Sequence, residues 1–171
     1  MTGKQSKKTA RASTSGKRTS PLDIVKALGT AQEALDEKLN ELYENAEAVV
    51  SEFWSWVLQN NSRQDKSEKN SLGVRVKRTA TGVSIQWYNN RWYKDERGNW
   101  KPISQYIRKG RRTTSYRNSA LSKHIKPWQE DKVWETEDRL AEIRKRVQQV
   151  TDLRKATGML KKRYEDAGDI L

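Results

Sequence analysis

The residues of this chain that could do chemistry are the arginines and lysines between positions 72 and 117. In this stretch, apolar side chains alternate with basic ones, aromatic residues are interleaved, and a run of Arg and Lys closes the segment. Strands with one apolar face and one cationic, aromatic face are typical of proteins that bind a polyanion. We therefore predict a nucleic-acid-binding surface formed by Arg75, Lys77, Arg78, Arg91, Lys94, Arg108, Lys109, Arg111, Arg112 and Arg117.

The net charge of +13 is concentrated in the same part of the chain. Seventeen basic and four acidic residues fall between positions 61 and 127, whereas positions 21–60 carry two basic and eight acidic residues. Positions 128–171 hold ten residues of each sign. A positive field confined to the most aromatic segment indicates a binding face. A cationic loop alone is also typical of ordinary solvated surface, so the prediction depends on the strands and the loop together.

Catalytic chemistry has few candidate residues here. There is no cysteine, and His124 is the only imidazole. In WETED (134–138), Glu135 and Asp138 share a helical face for the ordinary reason that residues i and i+3 do. Neither a nucleophile with its base nor a Gly-rich phosphate loop is evident. We expect a protein that is not an enzyme and uses no cofactor and no metal.

The alternation of apolar and basic residues predicts that the cations lie on β-strands. Leu72, Val74 and Val76 alternate with basic residues, which is the period of a strand with a basic outer face. Turns are predicted at 80–82 and 95–99, where Gly and Asn tolerate a positive φ. The pattern predicts a three-stranded antiparallel β-meander followed by a basic loop, together spanning 72–117.

The aromatic residues of this segment divide into two groups. We interpret Trp87, Trp92 and Trp100 as core residues, because tryptophans in a small sheet pack inward more often than they bind bases. Tyr106 and Tyr116 are candidates for stacking on the ligand or contacting phosphate.

Two long amphipathic helices are predicted to flank the meander. Ser20 before Pro21 is a typical helix start, and an apolar heptad stripe from Leu28 to Trp56 predicts a helix over 21–60 with an acidic opposite face. A second stripe, from Val133 to Tyr164, predicts a long helix within the C-terminal segment 118–171. The fold class is α+β and mainly helical, with two long antiparallel, coiled-coil-like helices. The heptads leave open whether they pair within one chain or in a homodimer.

The remaining segments are polar. Residues 1–20 are predicted to be a disordered basic tail, which either adds phosphate contacts or only improves solubility. Residues 61–71 are predicted to be a linker. No apolar run is long enough to span a bilayer and no signal peptide is apparent, so we expect a cytoplasmic protein without membrane contact.

One stretch carries a family resemblance. The segment from Leu72 to about Val150 contains YIRKG, then a Tyr-containing loop, then KPWQEDKVWETEDRLAEIRKRV. It resembles the MobI family of auxiliary mobilisation proteins, encoded by integrative conjugative elements and conjugative plasmids. The resemblance implies an accessory factor of the relaxosome that recognises the origin of transfer beside a relaxase or other mobilisation protein. The basic tail before Pro21 is not part of that pattern.

The sequence therefore supports two classes of function. The first is a sequence-selective protein that binds double-stranded DNA in conjugative transfer, and it predicts that replacing Arg111 and Arg112 by Ala weakens DNA binding without unfolding. The second is a coiled-coil structural or adaptor protein with a generic polyanion-binding surface. RNA binding is supported by the same cations and aromatics.

Overall fold

The computed structural model describes residues 20–110 and 113–168. The main elements are helix α1 (Pro21–Asn61), strands β1 (Leu72–Thr79), β2 (Gly82–Lys94) and β3 (Trp100–Tyr106), a short helix α2 (Asn118–Leu121), and helix α3 (Glu130–Gly168). Single 3₁₀ turns lie at Lys66–Glu68, Ser122–His124 and Pro127–Gln129. The mainly helical α+β class with a three-stranded antiparallel sheet is confirmed. Positions 1–19 of the predicted tail lie outside the described residues, and so do Arg111 and Arg112.

Helix α1 begins where its capping residues predict. The Ser20 hydroxyl accepts a hydrogen bond from the Asp23 backbone N–H at 3.2 Å, and the Asp23 carboxylate accepts one from the Ser20 N–H at 3.3 Å. This reciprocal arrangement satisfies two backbone donors at the helix start, and Pro21 supplies a residue that needs no donor there. The helix continues for 41 residues to Asn61.

Helices α1 and α3 run antiparallel within one chain. Glu52 of α1 contacts Lys132 near the start of α3 at 2.6 Å, and Asp36, a few turns earlier, contacts Arg154 further along α3 at 2.5 Å. Part of the acidic face of α1 therefore meets basic residues of α3. The pairing that the heptad pattern left open is intramolecular in this structure.

The core lies between the helical pair and one face of the sheet. Phe53 of α1 meets Trp87 of β2 edge to face, with ring centres 5.2 Å apart. The other fully buried large side chains of this core include Leu42, Val57, Leu72, Val74, Leu121, Val133 and Leu140. The apolar stripes of α1 and α3 and the alternation of β1 predicted five of these seven positions, because the period of each element fixes which side chains share a face. Val57 and Leu121 were not predicted.

The predicted apolar stripe of α3 is wrong in its last third. Leu153 and Leu160 are exposed. The turn between β1 and β2 reaches only as far as Thr151, since a side chain at Gly82 would contact that threonine. Beyond it, α3 still meets α1, where Arg154 contacts Asp36 at 2.5 Å, but the turn between β1 and β2 no longer covers it. We call this far part of the two helices, residues 21–36 of α1 and 152–168 of α3, the open end of the helical pair.

β2 is longer than β1 and β3, and each of these two strands pairs with a different part of it. β1 pairs with the first part of β2, from Thr79 opposite Gly82 to Leu72 opposite Asn89. β3 pairs with the second part, from Tyr88 opposite Tyr106 to Lys94 opposite Trp100. The hairpin of β2 and β3 therefore extends past the end of β1 as a two-stranded segment. We call residues 90–104 the β-ribbon.

The tip of the β-ribbon is the predicted turn at 95–99. The Asp95 carboxylate accepts hydrogen bonds from the backbone N–H groups of Arg97 at 3.0 Å and Asn99 at 2.9 Å. Gly98 has a φ of 80°, a conformation that glycine adopts without steric cost.

Within the described ranges, none of the helices combines the length and apolar character needed to cross a membrane.

Candidate nucleic-acid interface

One face of the β-ribbon is aromatic. Directly paired residues share a face of a sheet, so Trp92 lies beside Pro102, and Lys94 lies beside Trp100. The Lys94 ammonium is 5.3 Å from the centre of the Trp100 ring, within the range of a cation–π contact. Trp92 and Trp100 are each 63% exposed. This outer face therefore presents two indoles and one cation to solvent.

The prediction that all three tryptophans are core residues is wrong for two of them. Trp87 is buried, but Trp92 is five positions further along the same strand and so points to the opposite face. Trp100 shares the outer face with Trp92. Both belong to the β-ribbon, which extends past β1, and β3 is exposed along its whole length.

The opposite face of the β-ribbon is mixed and cationic. Arg91 lies beside Ile103, and Tyr93 lies beside Lys101. At the base of this face, Arg91, Arg108, Lys123 and His124 line a surface pocket of about 340 Å³. Burial lowers the pKa of His124, and the nearby charges of Arg91 and Lys123 lower it further. Three cations therefore converge on a pocket to which Asn89 contributes a buried side-chain oxygen that lacks a hydrogen-bond partner.

Two further predicted cations lie on the outer face of the sheet. The Arg75 guanidinium is 5.3 Å from the centre of the Tyr88 ring and donates a hydrogen bond to the Gln86 side chain at 3.2 Å. Lys77 is exposed. Both lie on the same side as the indoles of the β-ribbon, because the outer face is continuous from β1 through β3.

Arg78 faces the other way. It pairs with Val83, a residue packed against the core, and its guanidinium lies 4.0 Å from the centre of the Tyr43 ring of α1. It also donates a hydrogen bond to Asn40. The structure therefore places Arg78 against α1, apart from the cations of the outer face.

The basic loop after β3 supplies the remaining predicted cations. Arg108 and Arg117 are exposed. Lys109 is half-buried, and its ammonium donates a hydrogen bond to the backbone carbonyl of Thr113. Burial lowers the pKa of Lys109, and the nearby Arg144 lowers it further. Lys109 therefore helps to shape the loop that presents its neighbours.

Tyr116 lies near the end of the basic loop, with its side chain in the protein interior. It was predicted to contact the ligand, but this prediction is wrong because its side chain is buried, and its hydroxyl oxygen accepts a hydrogen bond from the Trp87 backbone N–H at 3.2 Å. Burial raises the pKa of this phenol. Tyr106, the other tyrosine predicted to contact the ligand, is exposed at the end of β3.

The segment that carries these residues matches a protein-family model. The model of the family described as MobI protein matches residues 42–158. This range is more than half of the chain. The chain belongs to the MobI family. Membership indicates a role related to mobilisation. A comparison with curated proteins found no match, and neither did a comparison with solved structures.

The MobI match covers the parts that build the candidate interface. It begins at Leu42 in α1, includes the whole sheet and the basic loop, and ends at Gly158 in α3. It excludes residues 21–41 of α1 and 159–168 of α3, which make up most of the open end of the helical pair. The region that matches the family is thus the sheet together with the parts of the helices that support it.

Within the MobI match, a buried ion pair attaches the basic loop to the helical pair. The Glu137 carboxylate accepts hydrogen bonds from the Trp87 indole N–H at 2.7 Å and from the Tyr116 backbone N–H at 2.8 Å. Both of its oxygens also accept from the Arg144 guanidinium at 3.0 Å. Arg144 in turn donates to the carbonyl oxygens of Ile85 at 3.2 Å and Thr114 at 2.9 Å. One pair of side chains therefore joins α3, β2 and the loop.

Sequence reasoning missed this pair although a signal was present. Val133, Leu140 and Val147 follow the heptad stripe, and Glu137 and Arg144 occupy the alternate positions of the same stripe at the spacing of four and three. Charged residues of opposite sign at two core positions indicate a buried, mutually satisfied pair, because an unpaired buried charge is very costly.

Proposed function

We propose that this protein is a DNA-binding accessory protein of conjugative transfer, which recognises the origin of transfer and assists assembly of the relaxase in the cytoplasm. One observation carries the proposal, namely the β-ribbon, whose two exposed faces carry cations and aromatic rings. A two-stranded ribbon has the width to enter the major groove of duplex DNA, where each base pair presents a distinct hydrogen-bonding pattern. Family membership supplies the link to mobilisation.

The cations divide into two roles under this proposal. Arg91 is exposed on the β-ribbon and has no ion-pair partner among the described residues, so it can reach a guanine edge in the groove. Lys77 on the sheet and Arg108 and Arg117 on the loop flank the β-ribbon and contact phosphates, which positions the protein without reading sequence. The function is recognition, and we assign no catalytic step to it.

The experiment is a binding titration with duplexes of equal length, one carrying a candidate origin sequence and one a scrambled sequence, at several salt concentrations. Specific recognition predicts a preference of roughly a thousandfold for the origin, with an affinity that falls steeply as salt rises. Arg91→Ala should reduce the preference, whereas Lys77→Ala should weaken binding to both duplexes about equally. Lys162→Ala, which removes the same charge from the far end of α3, is the matched control and should change neither.

Two outcomes of the titration would contradict the proposal. Equal, salt-sensitive affinity for both duplexes would reduce the surface to a generic polyanion site, as in the alternative class of function. Absence of DNA binding would leave the helices as the functional part.

A separate observation favours a protein-binding role as well. At the open end of the helical pair, the apolar side chains of Leu22, Leu153 and Met159 are more than half exposed. We propose that this end binds a relaxase or another mobilisation protein, or a second copy of the chain. Sedimentation of the wild type and of Leu153→Gln, with and without the purified relaxase, tests this role. Leu58→Gln, at the other end of α1, is the control, and unchanged sedimentation behaviour of Leu153→Gln would contradict the role.

A further inference from the structure

The exposed indoles of the β-ribbon are unusual for a water-facing surface. Trp92 and Trp100 are each 63% exposed, although tryptophan has one of the largest apolar surfaces of any residue. Scattered single apolar residues on a surface need no explanation, but adjacent large ones indicate a binding site. These two are adjacent, since Trp100 pairs with Lys94 and Lys94 is two positions from Trp92 on the same face. They form an aromatic platform, defined here as Trp92, Lys94, Trp100 and Pro102.

Charge shows what kind of ligand this platform suits. Lys94 lies against the Trp100 ring, and the exposed Arg97 lies in the adjoining turn. The turn also holds two acidic residues, Asp95 and Glu96, of which Asp95 is paired with Lys101 at 3.0 Å. That hydrogen bond lowers the pKa of the Asp95 carboxyl, which therefore stays charged and paired. An apolar surface flanked by cations fits an anionic ligand that has flat apolar faces.

We propose that the aromatic platform binds the unpaired bases of single-stranded DNA, so that the protein prefers origin DNA in which a short segment is open. This inference rests on the proposed function, because it assigns a form of DNA to the same β-ribbon. In a closed duplex, each base is covered by its neighbours on both faces, and an indole can reach only the groove edges. Unpaired bases expose their faces, and stacking on aromatic side chains with support from cations is the usual mode by which proteins hold them.

The test compares three DNA molecules with the full-length protein. They are a closed duplex of the origin sequence, the same duplex with a short central mismatched segment that stays open, and an oligothymidylate. The wild type should bind the open duplex more tightly than the closed one and should bind the oligothymidylate measurably. Trp92→Ala and Trp100→Ala should each reduce affinity for the open duplex and the oligothymidylate by about tenfold or more, as expected for the loss of one stacked base. Their affinity for the closed duplex should change much less.

Two kinds of control make the result specific. Trp92→Phe and Trp100→Phe keep a ring and should retain most of the preference for open DNA. Tyr93→Ala removes an exposed aromatic residue of the same strand but from the opposite face, and it should leave the preference unchanged. Circular dichroism of each variant checks that the sheet is retained.

Each contrary outcome has a distinct meaning. Equal binding of open and closed duplexes by the wild type would overturn this inference and leave duplex recognition standing. Alanine variants that lose both forms equally would overturn it as well, since the indoles would then contact the groove. A change in the oligomeric state of the DNA-free protein on Trp92→Ala would overturn it in favour of a second copy covering the platform. Failure of the wild type to bind any of the three would overturn the proposed function together with the inference.

Discussion

At the scale of single residues, the pair formed by Glu137 and Arg144 determines whether the basic loop is held in place. Glu137 is 2% exposed and accepts hydrogen bonds from the loop, the sheet and α3. We expect Glu137→Gln to destabilise the protein by about 3–5 kcal/mol, because Arg144 would keep a buried charge without a counter-charge. The free energy of unfolding in urea measures this effect.

A neighbouring residue provides the control for Glu137. Glu135 lies two positions away on α3, and it is exposed, as is Arg139, one of its two ion-pair partners; the other partner, Lys132, is half-buried. Glu135→Gln makes the same chemical change and should cost less than about 1 kcal/mol, since exposed ion pairs contribute little. Similar losses for the two variants would show that the buried pair does not have the role assigned to it.

Glu52 gives a prediction for pH. Hydrogen bonds from Lys132 and Arg139 lower the pKa of this carboxyl to about 2, against an ordinary value of 4.5. A carboxyl with a depressed pKa in the folded state stabilises the protein above its unfolded pKa, and that contribution is lost as the pH falls toward the folded pKa. Glu52→Gln should therefore lower stability by at most about 1 kcal/mol at neutral pH, because the pair is exposed. The difference from the wild type should shrink between pH 4.5 and pH 2 in urea titrations, and a constant difference would contradict the assignment.

At the scale of elements, the outer face of the sheet depends on a glycine in β1. A Cβ atom at Gly73 would lie 2.5 Å from the Tyr88 ring, closer than real side chains approach. The ring of Tyr88 therefore lies directly over the strand, where it also contacts Arg75. We expect Gly73→Ala to displace Tyr88 and to cost about 1–3 kcal/mol, as overpacking does. Denaturation in urea measures the cost, and a stability equal to that of the wild type would show that the ring does not need this space.

Gly29 in α1 is the opposite case. Space around it is open, since apart from the neighbouring residues and backbone of its own helix no atom lies within 4 Å of the position a Cβ would occupy. Gly29→Ala should stabilise the protein by about 0.5–1 kcal/mol, since alanine loses less conformational freedom in a helix than glycine does. A rise in the urea midpoint with an unchanged slope would agree with this, whereas a fall would show that this part of α1 requires glycine.

Local sequence patterns predict some features of the fold and miss others. The helix start at Ser20, the core residue Phe53 and the turn at Gly98 follow from local rules of capping, periodicity and backbone freedom. The exposure of Trp92 does not follow from such rules, because it depends on where β1 ends relative to the β2 and β3 hairpin. That end is set by strand register, which is a property of pairing between distant residues. The heptad position of Glu137 is a local signal that it is buried, but its partners come from three different elements and do not follow from local rules.

At the scale of the whole molecule, the helical pair supports a sheet whose two ends differ. Near Gly82 the sheet lies against both helices, whereas the β-ribbon extends beyond β1. The cations of the sheet are therefore held by a pair of helices whose acidic residues form ion pairs between the two helices, as Glu52 does with Arg139. This separation allows the acidic face of α1 and the cationic β-ribbon to coexist, because the two are carried by different elements.

His124 can report whether DNA reaches the β-ribbon. It is the only histidine of the chain, and it lines the pocket at the base of the β-ribbon with Arg91, Arg108 and Lys123. Burial and the charges of Arg91 and Lys123 hold the pKa of the free protein's His124 below its ordinary value of 6.5. Phosphates bound beside these cations would offset their repulsion of an imidazolium, so the pKa should rise in the DNA complex. Because the complex would then bind a proton more readily, affinity for DNA should increase as the pH falls through the titration range of His124.

An NMR titration of the single imidazole signal, with and without duplex DNA, measures this shift directly. Lys123→Ala is the internal check, since it should raise the pKa in the free protein and make the shift on DNA binding smaller. Gln148→Ala, a change on the exposed surface of α3 that removes no charge, should leave both values as in the wild type. If DNA binds and the pKa of His124 stays the same or falls, the phosphates do not approach this face of the β-ribbon. In that case the DNA-binding surface would be the outer face of the sheet, where Arg75 and Lys77 lie.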